Sequence, residues 1–112
     1  MNEKLKNSFY EHIEKAKVLI ELGKLDDAFS SLEVAHILGQ RFVVPHTLSH
    51  LYMLKIGLLK RDIKEVLGQL FRIPTGFLGS LVGILPTGNT GGSNVSPFKE
   101  MKISDEINEL MK

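Results

Sequence analysis

Apolar residues recur at three- and four-residue steps over most of the first 73 positions, the period of helices with one buried side. Leu5, Phe9, Ile13, Ala16 and Ile20, separated by Glu and Lys, predict an amphipathic helix over about residues 3–22, ended by Gly23. Asp26 and Asp27 then supply carboxylates suited to a helix N-terminus, and Ala28, Leu32, Ala35 and Leu38 mark the buried side of a second helix capped by Gly39. Pro45 suits a first helical turn, where its missing N–H costs nothing, and opens a third helix to about Lys60. Its apolar positions, among them Leu48, Leu51, Met53, Ile56, Leu58 and Leu59, go nearly all the way round, which predicts a central, largely buried helix. Asp62 and Glu65 have capping-box spacing, and Ile63, Val66, Leu67, Leu70 and Phe71 form the core face of a fourth helix that Pro74 stops.

After Pro74 the pattern changes. The run FLGSLVGIL, with Gly76, Gly79 and Gly83, predicts a short, closely packed helix, and PTGNTGGSNVSP reads as loop. Ser104 can cap a last short helix over Asp105–Met111 that docks through Ile103, Ile107 and Leu110. The expected fold is all-α: one domain over 1–112, an antiparallel helical bundle of two helical hairpins (1–73), an apolar, Gly-rich strap (74–103) and a short C-terminal helix (104–112).

The first hairpin resembles a tetratricopeptide-type (TPR-like) repeat, with small residues at Ala16, Gly23, Ala28 and Ala35 and a large one at Leu32. Gly57 falls 34 residues after Gly23, that repeat's period, but Asp62 and Gln69 stand where the second copy wants small residues. At most the second unit is a degenerate hairpin, and a peptide-binding repeat array is not expected.

Composition narrows the chemistry. With 112 residues, 43% hydrophobic and 24% charged, the chain has the make-up of one globular domain. The formal net charge of +1 predicts no pull toward nucleic acid or a membrane. Lys60, Arg61 and Lys64 cluster without interleaved aromatics and read as a solvated turn. No cysteine is present, so His, Asp and Glu are the only strong metal ligands. No apolar segment marks a signal peptide or a membrane span, and a cytoplasmic protein is expected.

Three of the four histidines fall between Glu33 and His50. Glu33 and His36 are three apart, and His46 and His50 four apart, so each pair occupies one side of its helix about one turn (~5.4 Å) apart. If the second and third helices pack antiparallel, the two pairs converge. Three imidazoles and a carboxylate suit a divalent zinc, iron, nickel, copper or cobalt ion. Glu65 and Gln69 can add a fifth ligand or orient the imidazoles, and Gln40 continues the stripe from Glu33 and His36. Only one ExxH occurs, so a single chain does not encode a di-iron carboxylate site. Taken singly, His36 reads as well as a core-edge histidine bonded to a carbonyl, His46 as an exposed residue near a helix start, and His12 as surface.

The loop has two readings. Asn89, Thr90, Gly91 and Gly92 can form a cofactor- or anion-binding nest of main-chain N–H groups, or serve as a strap that lies against the bundle and covers the histidines. A P-loop is excluded, since neither its Lys-Ser/Thr pair nor a following helix is present. His36 or His50 could act as a general base with Glu33 as orienter, and Ser49 or Thr90 as nucleophile, but no spacing selects that chemistry.

The blocks SLEVAHILGQ, His46 and His50, EVLGQLFR and LPTGNTGGSNVS, in that order, resemble a family of small bacterial proteins catalogued as domain of unknown function 3703. The resemblance implies a shared fold and carries no activity with it. Three functions remain: a metal-binding or metal-handling protein taking a metal ion or small polar ligand at Glu33, His36, His46 and His50; a helical-hairpin interaction module for a protein partner or a homodimer, with structural histidines; and a small metal-dependent hydrolase or oxygenase.

Overall fold

Helix α1 (Glu3–Glu21) starts where the Asn2 side chain accepts a hydrogen bond from the Leu5 N–H, and it turns Leu5, Phe9, Ile13 and Ala16 inward. The computed structural model describes all of residues 1–112, and four more helices follow: α2 (Leu25–Gly39), α3 (Val43–Lys60), α4 (Ile63–Val82) and α5 (Asp105–Met111). Helices α1 and α2 pack as one hairpin, α3 and α4 as another, and α2 lies against α3 between them. The result is the expected all-α bundle of hairpins. No helix is long and apolar enough to cross a membrane.

The apolar core is built from α1, α2 and one side of α3. Phe9, Leu32, Leu38, Met53 and Ile56 are its large members, with Ala16, Ala28 and Ala35 allowing close approach of the helices. Ser104 caps α5 by accepting from the Ile107 N–H, and Ile107, Leu110 and Met111 dock on the outside of this core.

Helix α4 departs from expectation twice. It runs through Pro74 to Val82, so the fourth helix and the short helix expected after it are one element, and residues 74–82 belong to the helix rather than the strap. The proline is tolerated because it lies on the solvent side, where the Leu70 carbonyl it leaves unpaired can turn to water. The Thr75 hydroxyl donates to the neighbouring Phe71 carbonyl at 2.9 Å.

The second departure is one of orientation. No α4 residue joins the apolar core. The expected core face points outward, leaving Ile63 74% exposed, Leu67 62% and Leu70 54%, while Glu65, Gln69, Arg72 and Ser80 are buried. Helix α3 shows the same inversion in part. Leu51, Leu58 and Leu59 are exposed, whereas His46, Ser49, His50 and Gly57 are buried beside Met53 and Ile56. The physical reason is complementarity: a buried polar side chain left unpaired costs several kcal/mol, so the polar side of α3 takes the polar side of α4 as its partner.

The segment between α4 and α5 crosses back over this polar seam and is tied at several points. The Met101 N–H donates to the Thr87 carbonyl at 3.0 Å, and the Asn89 side-chain amide donates to the carbonyls of Ser96 and Lys99, both at 2.8 Å. Arg72 Nη2 donates to the Val95 carbonyl at 2.7 Å.

Candidate metal centre

One-turn spacing puts His46 and His50 on the same side of α3, and α2 supplies His36 from across the seam. The three Nε2 atoms form a nearly equilateral triangle: 3.0 Å from His36 to His50, 3.0 Å from His36 to His46 and 3.1 Å from His46 to His50. All three residues are buried.

What the Nδ1 atoms touch fixes the protons. His36 Nδ1 lies 2.7 Å from the Asn89 main-chain oxygen, which can only accept. His46 Nδ1 lies 2.6 Å from Ser80 Oγ. That hydroxyl spends its proton on the Gln40 carbonyl, 2.8 Å away, so it accepts from the imidazole. His50 Nδ1 lies 2.6 Å from Gln69 Oε1. The Gln69 amide cannot be turned round, because its nitrogen donates to Glu65 Oε2 at 2.8 Å and to the Gly91 carbonyl at 2.9 Å, both acceptors. Each imidazole therefore carries its proton on Nδ1, and each Nε2 presents a lone pair to the other two. Contacts of 3.0–3.1 Å between them hold no proton and are not hydrogen bonds. Three lone pairs facing one another in a buried space repel unless a cation lies among them.

Burial also keeps the rings neutral. It pushes His50 down to about 3 and His46 to about 4, and it sets His36 well below the usual imidazole range. Each neighbouring imidazole disfavours charge on His36 still further. Neutral imidazole is the ligating form.

Two glycines let backbone lie flat on the rings. A Cβ at Gly91, whose φ is +88°, would fall 2.6 Å from His36 Cδ2, and one at Gly76 would fall 2.9 Å from His46 Cε1. Beside the triangle is a cavity of about 80 Å3, lined by the three histidines together with Thr75, Ile84 and Phe98 among others.

The other residues expected at the site are distributed around it. Glu33 does not join the triangle: the three histidines alone bring their ligand atoms within 4.8 Å of one another. It is half-buried near Thr90 and Glu65, and burial raises its carboxyl pKa. The Thr90 hydroxyl is near enough to favour the Glu33 anion yet makes no hydrogen bond of good geometry. Gln40 ties α2 to the strap by donating to the Pro86 carbonyl at 3.0 Å. Glu65 accepts from the Ser93 hydroxyl at 2.9 Å as well as from Gln69, which makes a chain of bonds from the strap through Glu65 and Gln69 to His50. In the loop, the Gly91 N–H donates to Asn89 Oδ1 at 2.9 Å and the Ser93 N–H to Glu65 Oε2 at 3.1 Å. An anion nest there lacks those two donors. His12 stands apart between α1 and α2, where its carbonyl accepts from the Ser31 hydroxyl.

Sequence reasoning missed Ser80, Gly76 and the Asn89 carbonyl. The first two had a signal: Glu65, Gln69, Arg72, Gly76 and Ser80 step by four and three residues along one side of an otherwise apolar helix. A main-chain carbonyl leaves none.

No curated protein and no solved structure matches the chain. A family model described as "Protein of unknown function (DUF3703)" matches residues 3–111. That span takes in all five helices, the three histidines and each group that holds their Nδ1 protons, and the chain belongs to this family.

Proposed function

We propose that the protein binds one divalent transition-metal ion through Nε2 of His36, His46 and His50, and that this is its functional centre. The observation that carries the reading is the triangle of Nε2 atoms with all three Nδ1 protons committed elsewhere. An ion at the usual ~2.1 Å from each nitrogen would see neighbouring ligands, 3.0–3.1 Å apart, at angles of roughly 90°. Tetrahedral angles would need edges of about 3.4 Å. The triangle is thus better suited to a three-nitrogen cap on one face of an ion, with the other positions turned to the cavity. Iron, cobalt and nickel suit that cap, and zinc and copper share its ligand type. The cavity, at about 80 Å3, has room for several waters or one small oxygen-donor ligand.

Metal binding or handling is favoured over a hydrolase or oxygenase because the groups that would do proton or acyl chemistry are occupied or distant. Ser49 Oγ donates to the Pro45 carbonyl at 3.0 Å, and Glu33 stands outside the triangle.

The test is titration of tag-free, metal-depleted protein with zinc, nickel, cobalt, copper and, without oxygen, ferrous ion. At least one should bind at one equivalent and, at a hundredfold excess over Kd, raise Tm by roughly 10–20 °C. The His36→Ala, His50→Ala double variant should stay helical and lose both effects. Sub-stoichiometric binding of all five, with Tm unmoved, would refute the proposal.

A further inference from the structure

The outward side of α4 is as ordered as its inward side. Ile63, Leu67, Leu70, Pro74, Phe77 and Leu81 follow one another at steps of four, three, four, three and four residues, the spacing of a coiled-coil seam, and all are exposed. The apolar surface continues beyond the helix. Phe98 stands edge-on to Phe71 with ring centroids 6.2 Å apart, and it and Ile84 are 72% and 77% exposed.

We propose that this stripe is the interface of a homodimer, in which α4 packs antiparallel against α4 of a second copy. Three observations select that occupant. Ile63, Leu67, Leu70, Phe77 and Leu81 along the stripe and Ile84 and Phe98 beyond it are each 43–77% exposed, an array of large apolar side chains on one surface of the kind that marks an interaction site. Between Val66 and Pro86 the only charged residue is Arg72, which is buried, so two copies meet without like-charge repulsion. A membrane-surface helix would instead carry Lys and Arg along its flanks, and a nucleic-acid surface would need cations. A stripe that is apolar and uncharged along its whole length also complements itself under a two-fold axis, the commonest symmetry of soluble oligomers.

The dimer has a consequence for the histidine cavity. Ile84 and Phe98 line that cavity and also belong to the exposed apolar surface. A second copy seated there narrows the open side of the cavity and shields it from water, without supplying any ligand.

Sedimentation velocity on the metal-depleted full chain at 1–100 μM tests the interface apart from the metal. The expected species has twice the 12.5 kDa of one chain. Leu70→Glu with Leu81→Glu should weaken the dimer at least a hundredfold, and Leu67→Lys, toward the other end of the stripe, roughly tenfold. Because these side chains are exposed, circular dichroism and metal stoichiometry should be those of the unsubstituted protein. A single-chain mass across the whole range overturns the proposal, and so does a dimer that neither variant weakens. Capture of a monomer by phosphatidylcholine vesicles also overturns it, assigning the stripe to a lipid surface.

Discussion

Between pH 7 and pH 5 the metal-free protein is expected to lose about 4 kcal/mol of unfolding free energy, a large part of the ~5–15 kcal/mol of an ordinary domain. In the unfolded chain His36, His46 and His50 regain the usual imidazole pKa near 6.5 and take up protons as the pH falls through it. In the folded protein burial holds His46 at about 4 and His50 at about 3, with His36 also well below its usual value. The unfolded state thus binds more protons, and stability falls with falling pH. The contribution is complete above about pH 6.5 and is lost progressively toward the folded values. The figure is the sum for His46 and His50 alone, and His36, also held neutral by burial, adds to the loss. Urea unfolding at pH 7, 6 and 5 measures the loss, and the triple variant His36→Leu, His46→Leu, His50→Leu is expected to show a much shallower slope. Equal slopes in the two proteins would mean that the histidines are not held neutral by the fold.

Gly91→Ala should cost about 2–4 kcal/mol and abolish tight metal binding, since two penalties fall on one methyl group. The residue's φ of +88° is one that side-chain-bearing residues rarely adopt, and the new Cβ would lie 2.6–2.9 Å from three atoms of the His36 ring. The strap and the imidazole cannot both stay in place. Displacing the strap also disturbs the Gly91 carbonyl, which orients the Gln69 amide toward His50. Gly83→Ala separates the two penalties. Gly83 has a similar φ of +77° with nothing within 4 Å of the added carbon, so that variant should lose only about 1 kcal/mol and bind metal normally. If both variants bound metal equally well, the close fit of the strap on His36 would have no part in the site.

Much of the first hairpin was legible because one rule governs it. In α1 and α2 apolar residues go in and charged residues stay out, so the 3.6 period names both the helix and its buried side. The rule fails in the second hairpin. A stripe such as Ile63, Leu67 and Leu70 reads as a core face whichever way the helix is turned, and only the partner decides. Here the partner is the polar side of α3, and the apolar stripe is left outside. Pro74 misled for a related reason: it breaks a helix whose carbonyl it leaves buried, and this one faces solvent.

At the site, the His46–His50 spacing announced a pair on one side of a helix, and the turn after Gly39 brings His36 to it. Glu33 illustrates the limit of such spacing. Three residues at about 100° each leave it some 60° round α2 from His36 as well as one turn along, enough to place it beside Thr90 and Glu65 rather than at the triangle. The Nδ1 partners were harder still, because the Asn89 carbonyl belongs to the main chain and Ser80 lies beyond the expected end of its helix.

Three protons decide whether the site can take a metal, and long-range proton–nitrogen NMR of 15N-histidine-labelled, metal-depleted protein at pH 7.5 reads them directly. The predicted result is three rings in the Nδ1–H tautomer with unprotonated Nε2, and an Nε2 shift in all three on adding one equivalent of a diamagnetic ion such as zinc. A ring of His36, His46 or His50 found with its proton on Nε2, donating to another member of the triangle, would contradict it, because the cluster would then be a closed hydrogen-bonded network with no place for a metal.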